Sequence, residues 1–249
     1  QDKVVIVTGG GTGIGLGISR CCAEAGAAVV LAQRRGEIAE QEAARLQQQG
    51  YRALGLRCDV SQRADIQALI ATTVATFGRL DVMVNNAALT GASLQARSFL
   101  EESDEHWQQV IAINLNGAFI CTQEAARQMI KQGDGGSIIN ISSVAQYAAQ
   151  EHAAPYCASK AAVVGLVRQL ARELAPRKIR VNAVAPGPTS TPIMQGIPDE
   201  WIKAMEASVP LGRMADPSEI AAAVSYLASD DASFVNGSVL VVNGASYYF

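Results

Sequence analysis

Val4-Val5-Ile6-Val7-Thr8-Gly9-Gly10-Gly11-Thr12-Gly13-Ile14-Gly15 decides the fold. Four β-branched residues in a row, apolar without alternation, fit a strand buried on both faces. The glycines after them permit a tight turn and let backbone approach a ligand closely. From residue 15 to 25 the pattern becomes helical. A helix N-terminus offers free N–H groups and a partial positive charge, so strand, turn and helix in this order predict a phosphate site. The competing reading is a plain flexible turn, and the position between strand and helix weighs against it. The spacing is G-x-x-x-G-x-G, a variant of the G-x-G-x-x-G dinucleotide fingerprint.

The same alternation continues along the chain. Short runs rich in Val and Ile occupy 4–7, 28–32, 53–57, 82–85, 137–141, 180–184 and 239–242. Helical periodicity fills 15–25, 37–49, 64–77, 104–131, 155–175 and 217–228. Gly26, Gly50 and Gly78 stand where left-handed C-caps are expected, and Pro155 and Pro217 where a first helical turn tolerates proline. The expected architecture is α/β: one Rossmann-type domain over 1–249, with a doubly wound, parallel, seven-stranded sheet and helices on both faces. The long irregular stretch 186–214 follows a strand, on the carboxyl edge where ligands bind, and reads as a substrate loop.

Composition narrows the function. Hydrophobic residues make up 49% of the 249 and charged residues 17%, which suits a folded core. The net charge of −3, with no basic run, gives nucleic-acid binding little support. No apolar stretch approaches the roughly 20 residues of a membrane span. The five cysteines form no C-x-x-C pair, and the first residues read as strand, not as an export signal. A cytoplasmic protein with reduced thiols is expected. His106 and His152 form no ligand cluster with cysteine, so no metal site is expected.

Tyr156 and Lys160 lie four apart in a helical stretch, with Ser143 thirteen residues before the tyrosine. A nearby ammonium favours a phenolate, which would bring tyrosine toward use as an acid or base. The spacing alone is a weak signal. The second strand ends in Gln33-Arg34-Arg35. An acidic residue at Gln33 would take the ribose 2′-hydroxyl of NAD, whereas two guanidinium groups suit a 2′-phosphate. NADP(H) is therefore favoured over NAD(H), unless Arg34 and Arg35 form only a solvated turn.

Over essentially its whole length the chain resembles a short-chain dehydrogenase/reductase. Thr8 to Gly15 reads as the T-G-x-x-x-G-x-G turn of that family, and Asp59-Val60 as its adenine-contacting pair. Asn85-Asn86-Ala87-Ala88 resembles N-N-A-G, and Asn114 sits in Ile113-Asn114-Leu115-Asn116-Gly117 within a long helix. Ser143 precedes Tyr156-Cys157-Ala158-Ser159-Lys160 at the family offset, and Pro186-Gly187 with Thr191 matches P-G-x-x-x-T. Ala88 departs from the usual glycine, Asn243-Gly244-Ala245 from D-G-G, and Gln146 from a position often held by glycine.

The resemblance implies an oxidoreductase moving a hydride between nicotinamide and a carbonyl or secondary alcohol. It makes Tyr156 the acid/base, Ser143 the anchor of the reacting oxygen, Lys160 the group that lowers the tyrosine pKa, and Asn114 the holder of a water behind Lys160. It assigns the cofactor to Gly9, Gly11, Thr12, Gly13, Ile14, Gly15, Arg34, Arg35, Asp59, Val60, Asn86, Ala87, Tyr156, Lys160, Pro186, Gly187, Thr189 and Thr191. Ser143, Gln146, His152 and Tyr156 would meet the substrate, a small carbonyl or alcohol. Read on their own, Trp201 and Met205 lie at helical spacing and form either an apolar lid over substrate or a local packing pair, Trp107 reads as a packing residue, and His106 as a surface or cap-proximal group. A homotetramer (or homodimer) is implied, with 104–131 and 155–175 at one interface. The alternatives are an NAD(H)-preferring alcohol dehydrogenase, a non-catalytic dinucleotide sensor or scaffold, and epimerase or dehydratase chemistry with a retained cofactor.

Overall fold

A computed structural model describes residues 2–90, 97–194 and 197–248. Its seven strands are β1 (Val4–Thr8), β2 (Ala28–Gln33), β3 (Ala53–Arg57), β4 (Val82–Asn85), β5 (Gly136–Ile141), β6 (Ile179–Pro186) and β7 (Val239–Val242). They form one sheet in the order β3-β2-β1-β4-β5-β6-β7. Every neighbouring pair is parallel. The chain winds outward from β1 to β3, returns to β4, and winds outward the other way to β7. The switch point therefore lies between β1 and β4, where such sheets open a ligand crevice.

The helices are α1 (Gly13–Glu24), α2 (Gly36–Gln48), α3 (Arg63–Phe77), α4 (Asp104–Ile111), α5 (Gly117–Gln132), α6 (Ala154–Leu174), α7 (Asp199–Ala207) and α8 (Pro217–Ala228). Successive strand residues point to opposite faces. Val5, Val7, Val29 and Leu31 pack with Ile18 of α1, Leu46 of α2 and Val224 of α8. Ile6, Val30, Met83 and Ile138 pack on the other face with Ile66 of α3, Met129 of α5 and Val167 of α6. Both faces are covered, which is why the strand sequences are apolar without alternation.

Gly26, Gly50 and Gly78 close α1, α2 and α3 at φ of 87°, 89° and 84°, in the left-handed region expected of them. Pro217 opens α8 inside a capping box formed by Asp216 and Glu219.

Two expectations are corrected. The stretch 104–131 is not one continuous helix, because a π-helical turn, Ala112–Asn116, separates α4 from α5. Asn114 lies in that turn, and its side chain is bonded to the backbone of Leu89. The stretch 186–214 is not wholly irregular. Asp199 and Glu200 supply the negative charge that favours a helix start, and α7 follows Pro198. Residues 195–196 of the expected loop lie outside the described residues. Among the described residues no helix is long and apolar enough to cross a membrane, and no group of three His, Cys, Asp or Glu could hold a metal ion.

Candidate active site

The site begins where β1 and β4 end side by side. Thr8 Oγ1 accepts hydrogen bonds from Asn86 N at 3.0 Å and Ala87 N at 3.1 Å. Asn86 Nδ2 donates to Thr8 O at 2.9 Å and Gly9 O at 3.3 Å. This lacing holds the start of the glycine turn against the segment leaving β4. Gly9 takes φ of 65°, and a Cβ there would lie 2.8 Å from Asn86 Nδ2. Thr12 stands at the N-cap of α1 without a side-chain capping bond, so the first N–H groups of the helix remain for a ligand.

A cavity of about 630 Å³ opens over this turn, within the size range of cofactor sites. Of the residues expected at a cofactor, Gly9, Thr12, Gly13, Ile14, Gly15, Arg34, Arg35, Asp59, Val60, Asn86, Ala87 and Thr191 line it. Gly11, Tyr156, Lys160, Pro186, Gly187 and Thr189 do not, although Lys160 lines the small chamber described below. Gly11 donates its N–H to Oε1 of Gln33, the last residue of β2, at 3.4 Å, and a Cβ there would meet Ile38 of α2. Gly187 packs on Asn243, and Thr189 Oγ1 donates to Gly187 O at 3.0 Å.

Arg34 and Arg35 are exposed at the rim and make no ion pair among the described residues. Asp59 Oδ1 accepts from Ser61 N at 2.9 Å and Ser61 Oγ at 2.7 Å, which fixes its carboxylate on the wall. Cys58 lines the cavity, but burial pushes its thiol up to about 12, leaving it unreactive. Free helix N–H groups, close-approach glycines and unpaired guanidinium groups together fit a phosphate-bearing dinucleotide.

Tyr156 and Lys160 lie on one face of α6, both buried, with Lys160 Nζ 5.7 Å from the tyrosine ring centroid. Ser143 starts the short 3₁₀ turn after β5, and its Oγ accepts from Ala145 N at 3.1 Å. Lys160 by itself does not lower the Tyr156 pKa in this geometry; the lowering that the resemblance implies draws also on the positive ring of an oxidised nicotinamide. Burial pushes the phenol up, while the hydroxyls of Ser143 and Thr90 pull the other way. Lys160 does not reverse this, because its Nζ donates to Ile141 O at 2.7 Å and burial lowers its own pKa to about 8. At the 5.7 Å between Nζ and the ring centroid, a unit charge is worth about 3 kcal/mol at an effective dielectric near 20. That attraction is present only while the lysine keeps its proton.

Thr90 was not foreseen. It lies five residues past the end of β4, lines the cavity and acts on the Tyr156 phenol. No spacing rule marks it; Asn114 brings its neighbour into place. Asn114 Oδ1 accepts from Leu89 N at 2.8 Å, and Nδ2 donates to Leu89 O at 3.1 Å and Ser159 Oγ at 3.3 Å. Behind Lys160 lies a small polar chamber of about 10 Å³, lined among others by Thr8, Asn85, Asn114, Asn140 and Lys160. That is about the size of one water centre.

None of the four expected substrate residues lines the cavity itself; Ser143 and Tyr156 lie beside it, next to its lining residue Thr90. Gln146 is half-buried in the turn after Ser143, and its Nε2 is enclosed with no hydrogen-bond partner among the described residues. His152 is exposed, at φ of 57°. Trp201 is 65% exposed on α7, so it covers no site in this arrangement. His106 is buried against Glu102, with Nδ1 2.6 Å from Oε1; of the two expected placements it is the cap-proximal one, its backbone N–H donating to the N-cap Ser103 Oγ at 3.2 Å.

The Lys160 shift has a measurable consequence. Its folded pKa lies below the unfolded value, so between about pH 8 and 10.5 the unfolded chain binds more protons and stability rises with pH. Lys160→Met should therefore make the cofactor-free protein more stable at pH 7, by up to a few kcal/mol. The gap should narrow in thermal melts near pH 10. A gap that is constant or widens with pH would contradict the buried-charge account.

An open parallel sheet with its phosphate turn at the switch point and a buried Tyr–Lys pair beside the crevice defines a class, the dinucleotide-dependent oxidoreductases. A family model described as enoyl-(acyl carrier protein) reductase matches residues 9–245. The cis-4-hydroxycyclohexanecarboxylate dehydrogenase of Sinomonas cyclohexanicum is 42% identical over 247 residues, covering 98% of this chain and 96% of that protein. The 3alpha-hydroxysteroid dehydrogenase of Mediterraneibacter gnavus is 40% identical over 248 residues, covering 99% and 97%. A crystal structure of an actinorhodin polyketide ketoreductase with NADPH superposes with a TM-score of 0.93 at 36% identity, covering 100% of this chain and 98% of that one. The chain belongs to the short-chain dehydrogenase/reductase family and is an NAD(P)-dependent oxidoreductase.

Proposed function

We propose that the protein interconverts a carbonyl and a secondary alcohol on a small molecule, using NADP(H), with Tyr156 as acid/base. The observation that carries this reading is the buried Tyr156, flanked by Ser143, Thr90 and Lys160, beside the glycine-lined cavity. The cofactor, when bound, supplies or accepts the hydride. The chain's own residues handle the oxygen and its proton. With its pKa raised, the Tyr156 phenol keeps its proton in a dry site and is set to donate it to a carbonyl oxygen. Ser143 holds that oxygen by a hydrogen bond. A protonated Lys160 stabilises the phenolate left behind, and the chamber lined by Asn114 and Lys160 offers a path for reprotonation. Asn85 Oδ1, buried without a hydrogen-bond partner among the described residues, supports a polar occupant there. Asn114 acts by holding Leu89, and through it Thr90.

In this reading Arg34 and Arg35 take the 2′-phosphate. The unpaired rim guanidiniums and the uncharged Gln33 support NADP(H). Replacing both arginines with alanine should raise KM for NADPH by about a hundredfold, from two charge-assisted contacts. KM for NADH should change less than threefold. Equal losses with both cofactors would remove the assignment. The substrates named for the two relatives are secondary alcohols on rings, which supports cyclic ketones as the first panel to assay with NADPH. The absence of any NADPH oxidation across that panel would overturn the reductase reading.

The reading also treats 1–249 as one dinucleotide-binding unit with its substrate loop at 186–214. A homotetramer is part of the proposal. It is supported by apolar side chains left exposed on the helices that would pair, among them Trp107 on α4 and Phe119 on α5.

A further inference from the structure

The chain beyond β7 lies outside the site described above, yet it is tied to both of its substrate-side segments. Asn243-Gly244-Ala245 turns the chain sharply, with φ of 58° at Gly244 and 65° at Ala245. A left-handed alanine is unfavourable and needs local support. Asn243 gives it. Its Oδ1 accepts from Ala245 N at 3.0 Å, its carbonyl accepts from Ser246 N at 3.0 Å, and its Nδ2 donates to Tyr247 O at 2.8 Å.

The turn directs Tyr247 onto Tyr147. Their rings stack with centroids 6.2 Å apart and planes 10° apart, and Tyr247 Oη donates to Tyr147 O at 3.0 Å. Tyr147 ends the 3₁₀ turn that Ser143 begins, through Tyr147 N donating to Val144 O. At its other end the tail rests on Gly187, where a Cβ would lie 2.8 Å from Asn243 Cα. The tail therefore spans from the end of β6 to the turn after β5, adjacent strands whose carboxyl ends flank the reacting position.

We propose that Tyr247 is a positioning residue that sets substrate specificity. It clasps the turn after Ser143 and, through the position of that turn beyond the carboxyl ends of β5 and β6, sets how large a carbonyl compound is admitted. This rests on the reductase reading above. The clasp has two separable parts, a stacked ring and one hydrogen bond, so Tyr247→Phe removes the second and Tyr247→Ala removes both.

The experiment combines hydrogen exchange with kinetics on a ketone series from cyclohexanone to a steroid. Amides of residues 145–148 should exchange roughly tenfold faster in Tyr247→Ala and a fewfold faster in Tyr247→Phe. Tyr247→Ala should raise KM for the compact ketone about tenfold, with kcat changed less than about twofold, while KM for the bulky ketone stays level. Tyr247→Phe should keep most of the wild-type selectivity, and NADPH affinity should be unchanged in both. Unchanged exchange in Tyr247→Ala overturns the clasp. Faster exchange with an unaltered KM ratio overturns its role in specificity. If the wild-type protein reduces no ketone, the reductase reading fails, and exchange still decides whether the clasp exists.

Discussion

Tyr156→Phe should bind NADPH as wild type does and lose carbonyl turnover by about a hundredfold to ten-thousandfold, the usual worth of a positioned acid or base. The substitution removes one oxygen from a side chain that is 8% exposed, so the ring still fills its place beside Val110 and Ala153. The polar contacts to Ser143 and Thr90 are lost with it. Those hydroxyls are left with weaker partners, and a modest fall in stability, about 1 kcal/mol, is expected beside the kinetic loss. The cofactor cavity is lined by other residues, so dinucleotide affinity is the control. Single-turnover measurement of NADPH oxidation separates loss of chemistry from slow product release. Near-normal turnover would remove Tyr156 from the mechanism.

Gly15→Ala should weaken dinucleotide binding by more than about tenfold and lower Tm by several degrees. Alanine is favoured over glycine inside a helix by about 1 kcal/mol, so propensity alone predicts a gain. Space decides otherwise. A Cβ at Gly15 would lie 2.0 Å from Gly9 O and 2.6 Å from Asn86 Nδ2. The turn has little room to yield, because Ser19 Oγ donates to Gly10 O at 3.1 Å and Gly15 O at 2.9 Å. Overpacking of this kind costs about 1–3 kcal/mol, which for a chain of this size is several degrees in Tm. The displaced groups are those that would approach the phosphates, so affinity falls with stability. Gly50→Ala is the control. It is strained at φ of 89° but meets nothing within 4 Å, so it should lower Tm without touching affinity. Equal dinucleotide affinity in Gly15→Ala and wild type would show that the close approach has no part in binding.

Much of this site was legible because its parts are local in sequence. Gly9 to Gly15 carry a turn and a helix start within a few residues, and Tyr156 and Lys160 share a face because helical periodicity requires it. Other features depend on segments far apart in the chain. Thr90 acts on Tyr156 across 66 positions, through a backbone held by Asn114. The direction of the Tyr156 shift in the cofactor-free chain depends on distant segments too. Spacing says that an ammonium is near, whereas burial and the carbonyl of Ile141 decide what that ammonium does. The π turn at Ala112–Asn116 was invisible too, since its sequence is compatible with an ordinary helix.

By itself the sequence determined the parallel sheet, the order of its strands, the glycine turn and the Tyr156–Lys160 pair. Each follows from periodicity, glycine freedom or helix geometry acting over a few residues. Tertiary structure alone decided which expected residues reach the cavity, that Lys160 bonds to Ile141, and that Tyr247 lies on Tyr147 a hundred positions away. Those outcomes depend on how distant segments exclude water and satisfy one another's polar groups, and no local pattern encodes that.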